Sequence, residues 1–350
     1  MNETYEERQA LTRKLFPEGI PWLWCPPLTH FGTDGSIDFA RMAAHFRNMS
    51  PWVGGLLIPG TSGQGWDLND EETLSVTSFA LQMSREYKTR LLLGALRTDM
   101  TAIREMIARM MKLIETTVAM KGETVNILSA TGVCGFAVCP LKGKSLSQTD
   151  IEAGLSTILE MGLPVALYQL PSVTENEAAP ETFQRLVRRY PNLIFFKDSS
   201  GRDFIAASSV DKGGVFLARG AEGDYIRWLK AAGGPYDGFL LSVANSFAPQ
   251  LTSFKKYIDS GDHQRAGEIS ERVTKALFET VALVGPLSCG RPYTNANKSI
   301  DHFFAFGRSA LAKEGPMLRG GIRIPSDILS ATGDILRKYG LMPEKGYLET

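Results

Sequence analysis

The feature that most constrains this chain is an alternation repeated eight times: a short apolar run, then a longer stretch with helical spacing. The runs are WLWCPPL (22–28), GGLLIPG (54–60), RLLLGAL (90–96), GFAVCP (135–140), PVALYQLP (164–171), LIFFK (193–197), GVFLARG (214–220) and DGFLLSVAN (237–245). The stretches between them carry apolar residues three and four apart, as in MTAIREMIARMMKLIE after the third run. Several runs are continuously hydrophobic, which marks strands buried on both faces, as in a parallel sheet covered by helices. Eight such units are the count of a TIM (β/α)8 barrel. A doubly wound sheet is the alternative, but no GxGxxG opens the helix after the first run.

Beyond about residue 260 the helical periodicity continues without a clear strand. The expected architecture is therefore an α/β fold, a TIM (β/α)8 barrel with a C-terminal helical extension. Its parts are a helical segment (1–17), the barrel (18–260) and a helical region (261–350). The stretch AMKGETVNILSATG (119–132) is longer than a strand approach needs and reads as an insertion near the third helix.

Lysine plus arginine balances aspartate plus glutamate at 38 each, so charge gives no reason to expect a nucleic-acid or anionic-membrane partner. No apolar run approaches the roughly 18–20 residues of a membrane span, and the polar start MNETYEERQALTRKLFPEG lacks a signal-peptide core. The four cysteines (Cys25, Cys134, Cys139, Cys289) form no CxxC pair, which favours a reducing, cytoplasmic setting. The four histidines (His30, His45, His263, His302) form no HxxxH or HExxH, and no metal-site spacing is found. The expected partner is a small molecule or another copy of the chain.

In a TIM barrel reactive side chains sit at the C-terminal ends of strands. Three strand ends carry candidates. The sixth run ends in Lys197, and burial would favour its free amine, a nucleophile toward ketones. The alternative is a lysine paired with Asp198 or reaching to the surface. The fifth run carries Tyr168, suited to proton relay or to a plain core role. The second runs into GTSGQG, where Thr61 and Ser62 stand between Gly60 and Gly63, a loop able to hold a carboxylate through hydroxyls and backbone N–H groups.

The ordered set GTSGQG, YQLPS and KDSSG, with GPYDGFLLSVANSFAPQL (234–251), resembles the dihydrodipicolinate synthase and N-acetylneuraminate lyase family of pyruvate-dependent class I aldolases. The resemblance covers roughly residues 18–310. It implies a homo-tetramer or homo-dimer, a lysine Schiff base with a 2-oxo acid, and neither metal nor organic cofactor. It assigns Lys197 to the Schiff base, Tyr168 to proton shuttling with Thr61 as its link to solvent, Thr61 and Ser62 to the carboxylate, and Ser242 to the wall beneath the substrate.

Two departures count against lysine biosynthesis. Where the synthases carry an arginine after YNVPS, this chain has Val173; where they carry a tyrosine from a neighbouring subunit, CPLKGKS offers Leu141 and Lys142. An apolar residue at the arginine position, and KDSSG in place of KEASG, are closer to lyases of 3-deoxy sugar acids. In those, acids after the seventh strand meet sugar hydroxyls, which points to Glu222 and Asp224 in RGAEGDY, although an acid there also suits a helix N-terminus. Arg97, Lys142 and Lys144 are candidates for a distal anion. The expected function is retro-aldol cleavage or dehydration of a 2-keto-3-deoxy sugar acid. The rivals are condensation of pyruvate with aspartate semialdehyde (4-hydroxy-tetrahydrodipicolinate synthase), a non-catalytic 2-oxo-acid-binding paralogue, and a metal-dependent class II barrel aldolase.

Overall fold

The structure is a computed structural model that describes residues 3–118 and 122–349. Eight strands, β1 (Leu23–Cys25), β2 (Gly55–Ile58), β3 (Arg90–Gly94), β4 (Val133–Val138), β5 (Val165–Gln169), β6 (Leu193–Asp198), β7 (Phe216–Arg219) and β8 (Gly238–Leu240), pair in chain order. All pairings are parallel, and β8 closes on β1. The expected TIM barrel is therefore the observed fold, with helices outside and further helices after the barrel. The strands are near-continuously hydrophobic because each is covered on both faces; only Arg90 and Phe216 are half-buried.

An aromatic stack fills the lower barrel. Trp24 meets Phe195 edge-on at 5.2 Å and Phe16 at 6.1 Å, and Phe216 stacks on Phe195 at 5.1 Å. Gly55, the register partner of Trp24, has no room for a side chain: a Cβ would lie 2.3 Å from the indole.

The N-terminal helix Glu3–Leu15 ties the chain start to this end of the barrel. The buried Arg8 guanidinium donates to the carbonyls of Val187, Tyr190, Leu193 and Gly213, gathering the chain before β6 and β7. The stretch read as an insertion lies partly outside the described residues (119–121). Its remainder forms a short helix, Thr124–Ala130, which buries Ile127 and Leu128 and bonds Ser129 Oγ to Lys14 O at 3.0 Å.

The long helices expected after the sixth and seventh strands are absent. A single turn stands in each place, Phe204–Ala207 and Tyr225–Trp228. Both start at left-handed residues, Asp203 and Asp224, without a side-chain cap, and extended residues, Ser208 and Leu229, end them. The long helix His263–Val284 packs beside the shortened Tyr225–Trp228. After β8 comes helix Ala244–Asp259, kinked at Phe247 by Pro249.

Helices Pro292–Phe306 and Ser326–Lys338 complete the C-terminal part. The tail folds back on the first of these, with Tyr347 and Leu348 N–H donating to Phe304 and Ala305 carbonyls. Tyr347 OH reaches Asp301 at 2.9 Å. Arg41 also pairs with Asp301, at 2.7 Å, in a buried cluster with His30 and His45, two of the histidines that look scattered in the sequence. All four cysteines are free. Among the described residues, no helix is long and apolar enough to cross a membrane.

Candidate active site

The strand register puts the two most reactive candidates side by side. Tyr168 on β5 pairs with Lys197 on β6, and partners in a parallel ladder present their side chains on the same face. Here that face is the barrel interior, at the C-terminal strand ends. Lys197 Nζ lies 3.9 Å from the centre of the Tyr168 ring. Both open onto a cavity of about 750 Å³.

Lys197 is 4 % exposed and, among the described residues, takes part in no ion pair. Burial lowers its pKa to about 7, against opposing pulls from Cys139, Glu222 and Cys25. Pairing with Asp198, the alternative weighed from the sequence, does not occur. The next strand residue points to the other face, and Asp198 accepts from Ser200 N–H at 2.9 Å and Tyr236 OH at 3.2 Å.

Tyr168 OH and Thr61 Oγ1 are 3.0 Å apart, and Trp66 Nε1 donates to the same Thr61 oxygen at 3.0 Å. An indole N–H can only donate. With one lone pair of Thr61 so engaged, the threonine hydroxyl proton is available to Tyr168. Burial raises the Tyr168 pKa above its ordinary value, so the phenol is neutral at physiological pH.

The GTSGQG loop is shaped by close approach. Neither Gly60 nor Gly63 has a positive φ; that conformation falls on Gln64 (φ 60°). A Cβ on Gly60 would meet Pro26 at 2.7 Å, and one on Gly63 would meet Pro27 O at 2.6 Å. The loop is thereby pressed against the end of β1, and Ser62 is buried at the cavity wall. Among the described residues, the N–H groups of Thr61, Ser62 and Gly63 find no acceptor. A second buried lysine, Lys298, holds the loop from behind, donating to Gln64 Oε1 at 2.9 Å and Met317 O at 3.1 Å.

Glu222 lines the cavity from the loop after β7, but it is already well bonded. Its Oε1 accepts from Ser242 Oγ (2.7 Å) and Val243 N–H (3.1 Å), and its Oε2 from Tyr225 OH (3.0 Å). A carboxylate has about four acceptor positions, so one remains, on Oε2. Burial raises its pKa. Ser242, expected as a wall residue, lines the cavity and links Asn297 Nδ2 (3.1 Å) to Glu222.

Several sequence candidates fall elsewhere. Asp224 is exposed at the start of its helical turn and does not line the cavity. Arg97 pairs with Asp70 at 2.8 Å, and Lys142 pairs with Glu175 at 3.5 Å; neither lines the cavity, nor does the exposed Lys144. Val173 does line it, so the apolar substitution faces the site.

Residues the sequence reading passed over complete the site. Arg219, at the end of β7, grips Asp203 through two nitrogens (2.9 and 3.2 Å) and the carbonyls of Ala221 and Gly223, fixing the loop that carries Glu222. Arg291, Pro292, Tyr293 and Thr294 cover the cavity from the first turn of helix Pro292–Phe306. The dipeptide Arg291–Pro292 at a helix start was the one local signal available for this group.

Comparison with known proteins agrees with this fold. The model of the "Dihydrodipicolinate synthetase family" matches residues 123–287. The 4-hydroxy-tetrahydrodipicolinate synthase of Agrobacterium fabrum is 24 % identical over 80 % of this chain and 87 % of its own. That of Rhizobium meliloti is also 24 % identical, over 94 % of this chain and its full length. Among solved structures, a monomeric dihydrodipicolinate synthase variant superposes with a TM-score of 0.72 at 18 % identity, over 94 % of this chain and 99 % of its own. YagE of E. coli K12, in complex with pyruvate, gives 0.70 at 17 % identity, over 92 % and 99 %. The barrel with its C-terminal helices thus has counterparts of the same fold among solved structures. Over residues 123–287, just under half of its length, the chain is similar to the dihydrodipicolinate synthetase family.

Proposed function

We propose that this protein is a class I lyase that forms a Schiff base between Lys197 and a 2-oxo acid, cleaving or dehydrating a 2-keto-3-deoxy sugar acid. The observation that carries the reading is the Lys197 amine, sealed in the cavity against Tyr168 with its pKa lowered to about 7. Near neutral pH a large fraction of it is the free base that attacks a ketone.

In cleavage, Thr61, Ser62 and the loop amides seat the C1 carboxylate. Lys197 Nζ adds to C2, and loss of water gives the protonated imine. Tyr168 takes the proton from the C4 hydroxyl as the C3–C4 bond breaks, passing its own hydroxyl proton to Thr61 and on to solvent, and the imine accepts the bonding electrons as an enamine. Protonation at C3 and hydrolysis release pyruvate, with an aldehyde as the other product, and free the lysine. Dehydration uses the same imine: a C3 proton leaves, then the C4 hydroxyl departs as water. The open acceptor position on Glu222 and the hydroxyls of Ser172, Ser199 and Ser200 at the cavity wall suit a polyol chain.

The curated relatives are named as synthases that condense to 4-hydroxy-tetrahydrodipicolinate, but Val173 leaves the second carboxylate of that reaction without an arginine on β5's following turn. No observation favours the non-catalytic reading over the imine. Assembly as a homo-oligomer and a cytoplasmic setting belong to the same proposal.

Incubation with pyruvate, reduction with borohydride and peptide mapping test the reading. A pyruvate-sized adduct on Lys197 is the expected result; its absence with pyruvate and with longer 2-oxo acids would sink it. Gly220→Ala is a second check. The added Cβ would lie 2.7 Å from Lys197 Cε and 2.2 Å from Ser199 Oγ, forcing the amine from its place. The trapping rate is expected to fall by ~10-fold or more while far-UV circular dichroism is unchanged; wild-type trapping in the variant would show that the lysine's placement does not matter.

A further inference from the structure

We propose that Arg291 reads a second oxyanion, carboxylate or phosphate, at the far end of the substrate. The inference rests on the imine reading above and adds to it the class of substrate.

The charges around the cavity single this residue out. Lys197 is taken by the ketone, and Arg219 is spent on Asp203 and two carbonyls. Glu222 is bound by three protein donors. Arg291 is differently placed. Its one acceptor among the described residues is Asp67, at 3.5 Å, and its Nε is buried with no partner. A buried guanidinium N–H without an acceptor is costly unless something else supplies one. Arginine presents a planar fork that matches a carboxylate or phosphate edge to edge.

The C1 carboxylate has its own seat in the unoccupied amides of Thr61, Ser62 and Gly63 and the Ser62 hydroxyl, so the anion for Arg291 is another one. A cavity of about 750 Å³ has room for a chain well beyond three carbons. Arg291 and Tyr168 line the same cavity, so the guanidinium stands on a wall of the space where the reaction takes place. The site that lost a cation at Val173 thus has one from the C-terminal helices.

The test compares imine trapping by pyruvate, 2-oxohexanoate, 2-oxoadipate and 2-oxo-5-phosphonopentanoate in the wild type, Arg291→Ala and Arg291→Lys. The wild type is expected to half-saturate at ~10- to 100-fold lower concentration with the anion-ended acids than with 2-oxohexanoate. Arg291→Ala is expected to erase that preference and leave pyruvate half-saturation unchanged, with Arg291→Lys between them. Which of the two anion-ended acids gains more separates a carboxylate reader from a phosphate reader.

A preference that survives Arg291→Ala, or its absence in the wild type, overturns the proposal. Equal weakening of pyruvate in Arg291→Ala assigns the residue to the C1 carboxylate and overturns it as well. Failure of the wild type to trap pyruvate strikes the imine reading instead. Calorimetric binding of the same acids then measures the Arg291 preference independently.

Discussion

Lys197→Met is expected to abolish borohydride trapping and lower turnover by at least about 10⁴-fold, while making the fold more stable at neutral pH. The two effects have one cause. Methionine keeps the unbranched stem and removes an amine that burial disfavours in its charged form. The sign follows from proton counting. With a folded pKa near 7 and an ordinary value of 10.5, the unfolded chain holds a proton that folded Lys197 lacks over much of the alkaline range. Stability therefore rises with pH across that window, by ~2 kcal/mol between pH 7 and 8.5 for one such lysine. Lys298, also lowered to about 7 by burial, contributes a second share. Urea unfolding at several pH values should show the rise in the wild type and about half of it in Lys197→Met. A variant with the full wild-type pH slope would mean that Lys197 is charged in the folded protein, and the nucleophile argument would lose its basis.

Tyr168→Phe should lower turnover by about 10²- to 10⁴-fold and leave pyruvate half-saturation in the trapping assay within twofold. The ring that flanks Lys197 is kept; only the hydroxyl bonded to Thr61 is lost. A catalytic site loses its proton carrier under this change, whereas a 2-oxo-acid-binding paralogue with no turnover keeps its affinity and has nothing to lose. Full activity in Tyr168→Phe would move proton transfer to another group. Equal loss of pyruvate binding would make the hydroxyl part of the carboxylate seat.

The barrel was legible because each strand lies between two apolar layers, so its sequence is a solid run rather than an alternation. The placement of Lys197, Tyr168 and Thr61 at the mouth of the barrel was legible for a related reason, since each stands at or just after the end of such a run, while their roles rest on the family resemblance. Trp66, Arg219 and Arg291 were not. Each acts through a partner distant in sequence or on another element, and an arginine in a loop looks the same whether it grips Asp203 or faces a cavity. The helices after β6 and β7 were overread because apolar spacing in RDFIAASSV and EGDYIRWLKAAG says nothing of how few turns fit between the left-handed starts and the extended Ser208 and Leu229. Gly60 and Gly63 were noted for the right loop, but the tight contact they permit is with Pro26 and Pro27.

The cavity is built by separate stretches of chain, with Pro26, Thr61 and Ser62 from the first two strand ends, Tyr168 to Ser242 from the later strand ends and Arg291 to Thr294 from a C-terminal helix, and this has a consequence for how such a protein can change over time. Tyr168, Lys197, Glu222 and Ser242 fall inside the segment that matches the family, which ends at residue 287. Arg291 and its neighbours begin four positions later, on a helix anchored by its own buried polar side chains, among them Asn295, Asn297 and Lys298. A lineage can therefore rewrite one helical turn and meet a new molecule without disturbing the bond-breaking apparatus. The same seam offers the protein engineer a place to exchange selectivity while the proposed reaction stays intact.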